Sequence, residues 1–323
     1  MPILTTPHQV HPTLRASPAW QPFKRIEDTG ANPQTVIDAV SNLSPGKLLL
    51  AEGDSWFDKF TPIGAGGTNL LSAIRTPFDA AVVDLSHIGD LAEDMVSGWQ
   101  ARRTKRLFDL FDFDAILLSA GGNDLIAMFQ QFYSAKATGK VLPGAPFTAQ
   151  HVAAFGMKPG QMQPFFDQLI AHLKAFIALR DDAARPRTRQ APLLLHAYDY
   201  MQPRPAPAQL FGLPVLSAGP WMYPVMHQAA LSDLQMRQAG AAVIDTLFDR
   251  IETEIAQVYD NVFLVDQRGT LALPPPGSTG EVGDWMDEIH PSAQGFDKLA
   301  AHCWEVPLNQ LLGWRPGAGD LVP

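Results

Sequence analysis

Four stretches of this 323-residue sequence put chemistry-bearing side chains where an acyl-transfer site would need them. Gly53-Asp54-Ser55-Trp56 and Ser86-His87-Ile88-Gly89-Asp90 each follow a short apolar run. Gly121-Gly122-Asn123-Asp124 follows a third, and Asp287-Glu288-Ile289-His290 lies in a late loop ahead of Pro291. A serine hydroxyl is a weak nucleophile until an imidazole accepts its proton. The imidazole in turn needs a carboxylate to fix its tautomer and stabilise its cation. Asp287 and His290, three residues apart, allow the carboxylate to fold back onto one ring nitrogen while the other faces Ser55. The oxyanion that forms on the substrate needs fixed N–H donors. The amides of Ser55 and Gly89 and the side chain of Asn123 are of the right kind.

The elements that must position these groups are legible as an alternation. Continuous apolar runs at 47–51, 81–85, 115–119, 192–196 and 262–265 suit strands buried on both faces, as in a parallel sheet. Helical patterns at about 68–75, 90–106, 161–180, 224–259 and 292–311 separate or follow them, with a short helix from Asp124. This predicts an open α/β sheet with right-handed crossovers. In such sheets ligands bind beyond the carboxyl ends of the strands, where three of the four stretches fall. Residues 1–46 carry seven prolines and read as an arm lying over the body, with one short helix from Asn32-Pro33 to about Leu43. The body, 47–323, reads as one domain with lid-like insertions at about 134–160 and 202–224, both rich in Gly or Pro.

In order and placement, Gly53-Asp54-Ser55, Gly89, Gly122-Asn123-Asp124 and Asp287-x-x-His290 resemble the four blocks of the SGNH (GDSL-type) hydrolases. Trp56 stands where that family often has Leu, and Ile88 where it usually has Ser. The resemblance implies a three-layer α/β sandwich with a five-stranded parallel sheet flanked by helices. It implies Ser55 as nucleophile, Asp287 and His290 as its partners, and Ser55, Gly89 and Asn123 as the oxyanion hole. The expected activity is hydrolysis of a carboxylic ester, lipid or other acyl ester or thioester, through an acyl-enzyme. Carbohydrate O-acetyl ester cleavage and acyl transfer to another acceptor use the same groups. A catalytically silent binding module is the alternative outside enzymes.

Further residues sit where they could line a pocket: Trp56, His87, Tyr198, Asp199, Tyr200 and Trp221. Phe211, Leu213, Trp221, Met222, Tyr223 and Met226 could form an apolar acyl cradle. Other chemistries are disfavoured. Gly53-Asp54-Ser55-Trp56-Phe57 lacks the second glycine of a Gly-x-Ser-x-Gly elbow. Gly64-Ala65-Gly66-Gly67 has no following Gly-Lys-Ser/Thr and reads as a turn, not a phosphate cradle. The single cysteine, Cys303, excludes an intramolecular disulfide or multi-cysteine metal site, and the histidines show no ligand spacing, so neither metal nor organic cofactor is expected. With 24 Lys+Arg against 33 Asp+Glu the chain carries a formal charge of −9, which argues against a nucleic-acid partner. No membrane span and no secretory signal are legible, so a cytoplasmic protein is expected, with signal-less export left open. Oligomeric state is not encoded in any pattern.

Overall fold

The computed structural model describes residues 20–28, 30, 32–58, 69–132, 162–209, 217–228 and 231–315. The apolar runs become strands β2 (Lys47–Gly53), β3 (Ala80–Asp84), β4 (Ala115–Ser119), β5 (Leu193–His196) and β6 (Val262–Val265). Nearly every residue in them is buried, the pattern of strands covered on both faces. All pairings in this sheet are parallel, with registers such as Leu50↔Val83, Ala51↔Leu117 and Leu264↔Leu195.

The sheet has six strands, not the expected five. The sixth is β1 (Lys24–Glu27), supplied by the segment read as an overlying arm, and it pairs parallel with β3 at the edge. The order across the sheet is β6-β5-β4-β2-β3-β1. An edge strand is half solvated, so β1 buries only Ile26 and shows no continuous apolar run. Polar side chains hold it instead: Arg25 pairs with Asp84, and Arg103 Nε donates to Asp28 Oδ2 at 2.7 Å.

Helix α1 (Pro33–Leu43) starts as expected. Asn32 accepts the Gln34 N–H at 3.0 Å, and Pro33 occupies the first turn, where its missing N–H is no loss. The pattern at 90–106 resolves into α2 (Ala92–Val96) and α3 (Gly98–Leu110). Then follow α4 (Gly122–Phe132), α5 (Met162–Asp181), α6 (Tyr223–Gln228), α7 (Asp233–Ile251), α8 (Ala293–Leu299) and α9 (Glu305–Leu311). Ser232 opens α7 with a reciprocal cap to Gln235. Both α7 and α8 run on into a wider π-type turn, Glu252–Ala256 and Ala300–Trp304.

The expected insertion at 134–160 and the Gly64–Gly67 turn lie outside the described residues, as do Phe211 and Leu213. Within the other insertion, 202–209 and 217–224 are described. No described helix is long and apolar enough to cross a membrane.

Candidate active site

Strand β2 ends where β4 also ends, and the two backbones come very close. A Cβ on Gly53 would stand 2.8 Å from Ser119 Cβ and 2.9 Å from its carbonyl oxygen, so only glycine fits there. The chain then turns sharply. Asp54 N–H donates to the Ser119 carbonyl at 3.0 Å, and Phe57 N–H returns to the Asp54 carbonyl at 3.0 Å. The turn delivers Ser55 to the carboxyl end of the sheet.

From the far end of the chain, the 284–291 loop meets it. Ser55 Oγ lies 2.8 Å from His290 Nε2, and His290 Nδ1 lies 2.8 Å from Asp287 Oδ2. Asp287 Oδ1 is occupied by the N–H groups of Ile289 and His290, each at 2.8 Å. Thus one carboxylate oxygen shapes the tight turn and the other addresses the ring. With Nδ1–H donating to Asp287, Nε2 is left as the acceptor for the serine proton. Both Asp287 and His290 are buried, which strengthens these contacts by excluding water.

The donors expected for an oxyanion are also drawn together. Gly89 has φ +91°, a left-handed conformation that glycine adopts without strain. Its loop is pinned by Ile88 N–H to Asp58 Oδ2, 2.7 Å, and by His87 N–H to the Gly53 carbonyl, 2.9 Å. Asn123 Nδ2 donates to the Asp90 carbonyl at 2.9 Å, which places its amide beside Gly89 and leaves its second N–H without an acceptor among the described residues. Neither the Ser55 nor the Gly89 N–H meets an acceptor among the described residues. Ser55 and Asn123 share the wall of a small cavity with Leu125, Ile126, Met201 and Ile289, enclosing about 20 Å³.

Other expected pocket residues fall in different places. Tyr198 and Trp56 both border that cavity. The Trp56 indole also packs edge-on against Tyr198 and Phe296, centroids 5.0 and 5.7 Å apart. Trp221 faces His290, ring centroids 6.1 Å apart. His87 is exposed, 3.7 Å from Asp90. Asp199 instead organises a neighbouring loop, accepting from the N–H groups of Tyr200, Gly269 and Leu271. Tyr200 turns its hydroxyl to Asp245 at 3.0 Å. Neither of these two lines the cavity beside Ser55. Met222 and Met226, expected in an acyl cradle, are wholly buried in the core.

Three supporting residues escaped the sequence reading. Arg204, almost fully buried, donates to the carbonyls of Ser278, Gly280, Trp285 and Asp287, gathering both sides of the loop that carries Asp287 and His290. Glu288 accepts the N–H groups of Trp221, Met222 (2.5 Å) and Tyr223 (3.1 Å). Burial pushes its carboxyl up to about 7, against the pull of those three donors. Glu52, sealed at the end of β2, is raised by burial to about 8 and is therefore largely protonated at neutral pH. No motif marks these positions. The only signal is a charged residue in an otherwise apolar or tightly turning stretch.

A second serine–histidine–aspartate set lies directly underneath. Ser119 Oγ donates to Asp54 Oδ1 at 2.8 Å and lies 2.9 Å from His196 Nε2. Because the serine proton is spent on Asp54, His196 must donate from Nε2. Its Nδ1 accepts the Tyr198 N–H at 3.2 Å, which agrees with that tautomer. Burial drops the His196 pKa to about 3, so the ring stays neutral. Tyr198 donates to Asp54 Oδ2 at 2.5 Å and accepts the Gly122 N–H at 2.8 Å. This set is a buried truss under the Ser55 turn, with no spare acceptor for the Ser119 proton.

No family model matches the chain, and no curated protein does. Solved structures similar in chain path include a carbohydrate acetylesterase family member from Sinorhizobium meliloti, 12% identical, covering 83% of this chain and 100% of that one at a TM-score of 0.47. A lipase from a goat rumen metagenome is 11% identical over 82% and 97% of the two chains, TM-score 0.45. An aryl esterase from M. smegmatis is 13% identical over 82% and 97%, TM-score 0.41.

Proposed function

We propose that this chain is a serine hydrolase that cleaves carboxylic esters of short acyl groups through an acyl-enzyme on Ser55. The observation that carries the reading is the unbroken relay from Ser55 Oγ through His290 to Asp287, two contacts of 2.8 Å each. His290 Nε2 takes the serine proton as Ser55 attacks the ester carbonyl. The amides of Ser55 and Gly89 and the free N–H of Asn123 receive the oxyanion. His290 then passes its proton to the departing alcohol, and later activates water to release the acid.

The short-acyl reading rests on the cavity between Ser55 and Asn123. Its enclosed volume of about 20 Å³ slightly exceeds the space for one water, enough for a methyl-sized group beside the carbonyl. Its wall is mostly apolar, from Leu125, Ile126, Met201, Ile244 and Ile289. That favours an acetyl-type ester, including acetylated carbohydrate, over a long-chain lipid ester.

A chain-length series of p-nitrophenyl esters tests this, alongside active-site labelling with a fluorophosphonate. Label on Ser55 and kcat/KM highest for the acetyl ester and falling as the acyl chain lengthens support the proposal. Label absent from Ser55 in folded protein removes the hydrolase assignment, and a preference for long chains removes the short-acyl one.

A further inference from the structure

Helix α3 carries Trp99, Arg102, Arg103 and Arg106 at positions i, i+3, i+4 and i+7, so all four share one face. That face borders a cavity of about 200 Å³, closed on the other side by Asp28 and Pro33 where β1 leads into α1. The cavity is far larger than the roughly 10–15 Å³ needed to admit a single water.

The charge balance around it is unusual for a chain whose formal charge is −9. Arg103 is buried and anchored to Asp28 through Nε at 2.7 Å and through Nη2, yet its Nη1 is buried without a partner. Arg102 and Arg106 are exposed, and neither forms an ion pair with a described residue, whereas Lys105 between them is held by Asp109 at 2.7 Å. Three guanidinium groups facing one carboxylate leave two positive charges unanswered. Trp99 adds an indole that is 49% exposed, its ring 5.1 Å from the Arg103 guanidinium. Two uncompensated cations and an open aromatic surface around one cavity favour the same type of occupant.

We propose that this cavity is a binding site for a phosphate-type dianion, the phosphoryl group of a soluble phosphate ester or of an anionic lipid head. Guanidinium groups match the oxygens of a tetrahedral oxyanion in forked pairs. Arg102 and Arg106 supply the charge at the rim, and Trp99 the support for whatever the phosphoryl group is attached to. Asp28 does not oppose the anion, because its carboxylate is already neutralised by Arg103 and the Gly30 N–H.

The test is calorimetric titration of the full chain with inorganic pyrophosphate, beside flotation with phosphatidylcholine vesicles with and without phosphatidic acid. The Arg102→Gln/Arg106→Gln double variant leaves Arg103 and the Asp28 contact in place, and its melting temperature reports that it folds. Pyrophosphate binding that weakens by about tenfold or more in the variant supports the site for soluble ligands. Phosphatidic-acid-dependent flotation lost in the variant supports it for lipid heads. If neither probe binds the wild type, or the folded variant binds both as the wild type does, the proposal is overturned.

Discussion

Two serine–histidine–aspartate sets lie on either side of one turn, and they are built for opposite ends. In Ser55–His290–Asp287 the imidazole keeps an open acceptor toward the serine, and the serine borders a cavity. In Ser119–His196–Asp54 the serine proton is already committed to the carboxylate, and the ring can only donate to that serine. The same three residue types thus leave an acceptor open in one case and commit every contact in the other. What separates them is whether the carboxylate meets the ring or the serine hydroxyl, and which serine borders a cavity.

The largest effect expected from breaking this contrast is on the reactive side. Ser55→Ala should lower kcat for an ester substrate by roughly 10⁴–10⁶-fold, with its melting temperature close to wild type. Residual turnover near the wild-type level would show that the upper set is not the reactive one. Next in size, Asn123→Ala should cost roughly 10²–10³-fold in kcat, and steady-state kinetics on a short ester would read it.

The lower set should speak through stability. His196 has a folded pKa of about 3 against an ordinary 6.5, so the folded chain refuses a proton that the unfolded chain binds. Its contribution is present above pH 6.5 and is lost as the pH falls toward 3. Between pH 7 and pH 5 the wild type should lose about 2 kcal/mol that His196→Asn does not lose, measured by urea denaturation at both pH values. Smallest of all, Ser119→Ala should destabilise by about 1–3 kcal/mol, because Asp54 and His196 lose a buried partner. Its kcat should stay within about tenfold of wild type if the truss only supports the turn. A loss rivalling that of Ser55→Ala would mean that the two sets act as one.

Much of this arrangement is legible in the amino-acid sequence. The five core strands announced themselves as continuous apolar runs, and the residues after three of them, with the Asp287–His290 pair, are the ones gathered around Ser55. The edge strand β1 was not legible, since a strand with one solvated side and ion-paired Arg25 carries no such run. Tyr198 follows an apolar run and reads as a pocket candidate, while His196 reads only as the end of that run. Their roles as neutral, internally bonded supports depend on burial, which sequence spacing does not report. Arg204 is similarly silent, because the proline-rich segment around it reads as a lid-like insertion although its guanidinium is enclosed by four carbonyl groups of a loop some 80 residues away.

One dipeptide ties two functions together. Asp287 steadies the imidazole, while its neighbour Glu288 grips the backbone of Trp221, Met222 and Tyr223, the stretch whose indole faces that same imidazole. Imidazole and indole are therefore held through adjacent residues of one loop. Any displacement of the Trp221–Tyr223 stretch is passed, through a single neighbouring residue, to the carboxylate that holds the imidazole.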